Sequence, residues 1–218
     1  MEEAKVMEAA PAQARSRTRS IAYVALTIAI MAVSAWITVP LGPVPFTLQM
    51  FAFTFAIVVL RPSEAIAATA GYLALGAIGV PVFSGMRGGL GVLVAGPTGG
   101  FLWGYLFGVA AAVALLHVVR TRTSWVDAAR RRGVDPAERA AMGFGQKAVA
   151  FLRMSGVELV AGVLFTAVAY ACGCIQYMAL ANADLATAFA VCCAPFIVVD
   201  LVKIAAAVAC AQTVRTAL

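Results

Sequence analysis

Asp200 and Lys203 are the residues of this chain best placed to do chemistry. They lie three apart in Ala194-Pro195-Phe196-Ile197-Val198-Val199-Asp200-Leu201-Val202-Lys203, inside an apolar run from Ala186 to Val214. A charge at bilayer depth costs a few kcal/mol on insertion scales, so it normally faces a protein interior or a cavity and has a partner. Residues at i and i+3 share a helix face. The pair can therefore neutralise itself and still offer an acceptor and several donors to a ligand.

The elements around the pair are those of a membrane protein. The chain has 218 residues, 63% of them hydrophobic, and a mean hydropathy of +0.94. Several apolar stretches approach about 20 residues, the span of a hydrocarbon core. The net charge of +6 does not indicate nucleic acid, because the Arg residues cluster at the ends of apolar segments, as the positive-inside rule requires. The five Cys have no paired spacing with His partners, which argues against a metal site and leaves them as small packing residues. No Gly-Lys-Ser/Thr follows the Gly-rich stretches, so there is no Walker A loop. The N-terminus does not read as a removable signal peptide.

The reading in order is an all-α bundle of six membrane spans with both termini cytoplasmic. A polar tail over residues 1–20 precedes a membrane domain over 21–218. The spans are Ile21–Val39, Gln49–Leu60, Ala65–Gly79, Phe101–Val119, Lys147–Ala171 and Pro195–Val214, with a short outer helix at Leu185–Cys193. Arg61 and the polar loop at 120–146 mark the inner side. Asp135-Pro136-Ala137-Glu138 has the form of a helix start within that loop. Pro62 is expected to stop the second span and Ser63 to cap the third. Cys172-Gly173-Cys174 should begin an outer connection, and Asp184 should cap the segment after it. Pro195 breaks the final run, which puts Asp200 about 8 Å along the last span and opens the pair to the outside. Thr47 and Gln49 either cap the second helix or line a site. Glu158 is deep enough in the fifth span to need a partner or a cavity, whereas His117 suits a helix C-terminus.

Four stretches then carry a resemblance. Pro43-Val44-Pro45-Phe46-Thr47-Leu48-Gln49, Gly76-Ala77-Ile78-Gly79-Val80-Pro81-Val82-Phe83, Gly96-Pro97-Thr98-Gly99-Gly100 and Pro195-Phe196…Asp200-Leu201-Val202-Lys203 together resemble the biotin-specific S components of energy-coupling-factor transporters, the BioY family. Val199 stands where that pattern has Gly. The resemblance implies a vitamin-binding bundle in a bacterial inner membrane, high-affinity capture of biotin from outside, and partnership with a transmembrane T component and two ATPases. It also implies that Asp200 and Lys203 contact biotin and that Ala25 and Ala29 dock the T component.

On that basis Asp200 is assigned the ureido N–H, Lys203 the ureido carbonyl and Arg87 the carboxylate, with Phe46 and Phe83 as apolar walls and Ser84 and Gln49 as further contacts. No cofactor, metal or catalytic residue is expected. The competing readings are an S component for another vitamin, a membrane-embedded enzyme, and a structural bundle with Asp200–Lys203 as a brace. The enzyme reading needs a nucleophile–base or metal constellation that one His and scattered Cys do not supply.

Overall fold

The computed structural model describes the backbone of residues 3–40, 42, 44–122 and 144–217, and the side chains of 17–40, 42, 44–120 and 155–214. The described helices are α1 (Glu3–Trp36), α2 (Gln49–Val59), α3 (Pro62–Ala77), α4 (Leu90–Val94), α5 (Gly99–Arg122), α6 (Phe144–Ala181), α7 (Leu185–Cys192) and α8 (Ile197–Ala217). Two short strands, β1 (Thr38–Val39) and β2 (Phe46–Thr47), pair antiparallel with Thr38 opposite Thr47. The possible helix start at Asp135–Glu138 and the side chain of Arg153 lie outside the described residues.

Among the described residues four helices are long and apolar enough to cross a membrane: Arg17–Trp36, Gly99–Arg120, Ser155–Ala181 and Ile197–Val214. This makes the chain a mostly helical, multi-pass membrane protein. α2 is apolar but has 11 residues, and α3 has 16.

Helix contacts close a ring in the order α1, α3, α5, α6, α8, α2 and back to α1, with α2 also touching α3, α5 and α6. In lipid, apolar side chains gain little by leaving solvent, so close packing must hold the ring. Glycine supplies it between α5 and α6. A Cβ on Gly104 would stand 2.7 Å from Ala169 Cα, and one on Gly108 would stand 2.8 Å from the Phe165 carbonyl oxygen. The core inside the ring is aromatic. Phe53 lies 4.6 Å from Tyr105, 5.7 Å from Tyr72 and 5.9 Å from Phe165, centroid to centroid.

Several boundaries differ from the sequence expectation. α1 ends at Trp36, short of the expected Val39, because Thr38 and Val39 pair with β2 instead. Pro62 opens α3 rather than only stopping α2, and Glu64 accepts the Arg61 backbone N–H at 3.2 Å. The cap is therefore the Glu64 carboxylate rather than Ser63: Pro at the first helical position needs no N–H partner, and an acid two residues later reaches back. α6 runs through Cys172-Gly173-Cys174 to Ala181, because Gly173 receives the Phe101 ring and acts as a packing notch, not a helix end. α8 starts at Ile197, so Asp200 falls in its first turn, where the helix dipole favours an acid. Asp184 caps α7 as expected, accepting the Thr187 N–H at 3.3 Å.

Candidate functional site

Pro195 separates α7 from α8 and thereby sets Asp200 at the head of a new helix. The Asp200 backbone N–H donates to the Phe196 carbonyl at 2.8 Å, so the carboxylate is fixed to the corner that precedes it. Lys203, one turn on, donates to Asp200 Oδ1 at 2.8 Å and to the Thr47 carbonyl at 2.7 Å. Its ammonium lies 3.6 Å from the centroid of the Phe46 ring, within cation–π reach. Tyr170, from α6, donates to Asp200 Oδ2 at 2.6 Å. Asp200 is 4% exposed and Lys203 7%. Buried charges are tolerated only when paired and further hydrogen-bonded, and this pair meets both conditions.

The β1–β2 turn brings the second group of polar residues in. Gln49 donates to the Tyr72 hydroxyl at 2.9 Å and accepts from the Thr47 hydroxyl at 3.1 Å. The Tyr72 hydroxyl in turn donates to the Val82 carbonyl at 2.9 Å. One buried phenol thus fixes both the Gln49 amide and the loop that presents Ser84. Ser84 and Thr38 hydroxyls lie 3.3 Å apart, which joins that loop to β1.

These groups converge on a cleft that encloses about 530 Å³, part of it open to solvent. Asp200, Lys203, Gln49 and Ser84 line it, together with Thr47, Thr98, Phe101, Tyr105 and Tyr170. Polar groups that accept and donate thus face apolar walls in one space.

Four of the seven sequence-assigned site residues therefore lie on the cavity, and three do not. Phe46 sits behind Lys203 and stacks on Phe196 at 6.4 Å. Phe83 is buried against Tyr72 at 5.5 Å, edge to face. Arg87 is exposed and holds the Ser84 carbonyl through Nε at 3.0 Å. Sequence reasoning missed Tyr170 and Tyr105, because an aromatic residue in an apolar span reads as core, and missed the Thr47 carbonyl, because a backbone acceptor has no side-chain signature. Glu158 is buried at 2% with an Arg120 guanidinium nitrogen 3.9 Å away. It lies about 18 Å along α6 from Tyr170, at 1.5 Å per residue, and is no part of the cavity. Among the described residues no group of His, Cys, Asp and Glu is arranged to hold a metal ion. Ala25 and Ala29 are exposed on one face of α1.

A family profile described as the BioY family matches residues 7–218. The biotin transporter BioY of Thermotoga maritima is 46% identical over 97 residues, covering 44% of this chain and 56% of that protein. The biotin transporter BioY2 of Lactococcus lactis subsp. cremoris is 41% identical over 104 residues, covering 48% and 57%. The chain thus spans about half the length of the curated relatives it matches. A crystal structure of the S-component for biotin from an ECF-type ABC transporter superposes with a TM-score of 0.70 at 22% identity, over 93% of each chain. That likeness is one of fold.

Proposed function

The chain belongs to the BioY family, and from that membership we propose that it is the biotin-binding subunit of a vitamin uptake transporter rather than an enzyme. The observation that carries the reading is the Tyr170–Asp200–Lys203 array on a cavity with apolar walls. Biotin presents ureido N–H donors, a ureido carbonyl, an apolar fused ring and tail, and a carboxylate. Asp200 accepts a ureido N–H, and Lys203 donates to the ureido carbonyl. Hydrogen bonds to charged groups are roughly twice as strong as neutral ones. Gln49 and Ser84 supply further polar contacts, and Phe101 and Tyr105 supply apolar wall. Phe46 and Phe83 act from behind, by holding Lys203 and the loop. Arg87 leaves the Ser84 carbonyl to meet the biotin carboxylate at the mouth.

In the same reading α2 and α3 complete six crossings of a bacterial inner membrane, residues 1–20 form a cytoplasmic tail, and both termini are cytoplasmic. The cavity then opens outward. A T component docks on the Ala25/Ala29 face of α1, and two ATPases supply the nucleotide chemistry. Tipping of the docked bundle delivers biotin inward.

Equilibrium binding to the detergent-purified protein tests this. Biotin should bind in preference to thiamine and riboflavin, and biotin methyl ester should bind more weakly than biotin. Preference for another vitamin overturns the substrate, and equal affinity for the ester removes Arg87 from the carboxylate.

A further inference from the structure

Beside the cavity is a thiol pair that the binding chemistry does not use, one member of it next in the chain to the lining residue Cys192. Cys174, on α6, and Cys193, at the corner between α7 and α8, bring their Sγ atoms to 3.3 Å, and both are buried. Both are free thiols. A disulfide needs an S–S separation of about 2.05 Å, so an approach of little more than 1 Å would close the bond. The neighbouring Cys192 lines the cavity, so one residue separates this corner from the cavity surface.

We infer that Cys174 and Cys193 form an oxidisable dithiol site, whose co-reactant is a small two-electron thiol oxidant such as a peroxide and whose product is a disulfide between α6 and the α7–α8 corner. In the first step one thiolate sulfur attacks a peroxide oxygen and the O–O bond breaks. This gives a sulfenic acid and a hydroxide that takes the departed thiol proton as water. The second sulfur then attacks the sulfenic sulfur, the S–OH bond breaks, and the second thiol proton leaves with that oxygen as water. The two thiols lose two electrons and two protons, and one hydrogen peroxide becomes two waters.

The bond would act on the site through short covalent and hydrogen-bonded paths. Tyr170 is one turn from Cys174 on the same face of α6. The Cys193 carbonyl accepts the Phe196 N–H at 2.9 Å, and the Phe196 carbonyl accepts the Asp200 N–H at 2.8 Å. A Cys174–Cys193 disulfide therefore ties α6, which carries Tyr170, to the corner whose hydrogen bonds lead to Asp200. It restricts movement of that wall and so slows ligand entry and release together. This consequence rests on the biotin reading, whereas the dithiol chemistry does not.

The test uses the full-length wild-type protein in detergent. It is incubated at length with hydrogen peroxide, since buried thiols ionise and react slowly, then alkylated, digested and analysed by mass spectrometry. The expected product is a Cys174–Cys193 cross-linked peptide lacking two hydrogens, absent from Cys174→Ser and Cys193→Ser and retained in Cys210→Ser. Biotin exchange by the oxidised wild type should be about tenfold slower, with affinity changed far less because both rates fall, and reduction should restore it. Pairing through Cys172 or Cys192, or sulfinic acid without a cross-link, overturns the site. A cross-link with unchanged exchange overturns the coupling to the cavity. A cross-link in a protein that binds no biotin overturns the functional reading and leaves the dithiol site standing.

Discussion

Taking the charge from Asp200 and taking it from Lys203 are unequal changes. Lys203→Met leaves a buried carboxylate with one phenol donor, and an uncompensated buried charge costs about 3–5 kcal/mol. The expected outcome is a clear loss of thermal stability in detergent, read by the melting temperature, together with lost binding. Asp200→Asn keeps the shape and leaves Lys203 without a counter-charge but with an amide oxygen, the Thr47 carbonyl and the Phe46 ring, so it should lower the melting temperature less than Lys203→Met does. Tyr170→Phe isolates one hydrogen bond to a charged acceptor, worth about 1.5–3 kcal/mol, and should lower biotin affinity while the ring still fills its place. The acid and base were legible as a pair because a charge in an apolar run needs a partner. Tyr170 was not, since its ring would pack in a span whether or not its hydroxyl had a partner. Phe46 was read as a wall of the site. It sits under the ammonium instead, a placement that depends on the β1–β2 turn and not on local spacing.

At the scale of elements, glycine and proline decided which expectations held. Gly104 and Gly108 are small residues four apart, and they form the seam between α5 and α6. Gly104→Leu should separate those helices and lower the melting temperature, because its side chain would meet the Ala169 backbone. Gly173 has the same local signature as a helix end, and only the tertiary position of Phe101 shows that it is a notch. The Asp184 cap has a pH dependence with a definite sign. The Thr187 hydrogen bond holds the Asp184 carboxyl below the ordinary carboxylate value, about 3.9. A carboxyl lowered by folding stabilises α7 above that value and loses its contribution as the pH falls through the lowered one. Hydrogen exchange at the Thr187 amide should be slow near neutrality and speed up below about pH 4, beyond the intrinsic pH trend. Asp184→Ala should remove that dependence.

For the whole molecule the helix ring matters because it separates the face proposed for docking from the site proposed for binding. Ala25 and Ala29 lie on the outer surface of α1, whereas Asp200 and Lys203 lie inside. Replacing both alanines with Leu should abolish biotin uptake by cells while sparing binding to the purified protein. Loss of both would make that face part of the fold. Hydropathy made the membrane class legible, and the long spans followed from run length. The closure of the ring was not legible, because it arises from contacts such as that of α8 on α2, whose partners are far apart in the chain.

The account stands on Asp200 gripping the vitamin's ureido group rather than bracing the bundle. The direct test is calorimetric titration of biotin into wild type and Asp200→Asn, with melting temperatures measured on the same samples. Affinity should be about ten- to a hundredfold weaker in Asp200→Asn, the size of one charge-assisted hydrogen bond, in a protein that still melts cooperatively and above the melting temperature of Lys203→Met. Unchanged affinity, or a lowered melting temperature with biotin still bound as tightly, would contradict it.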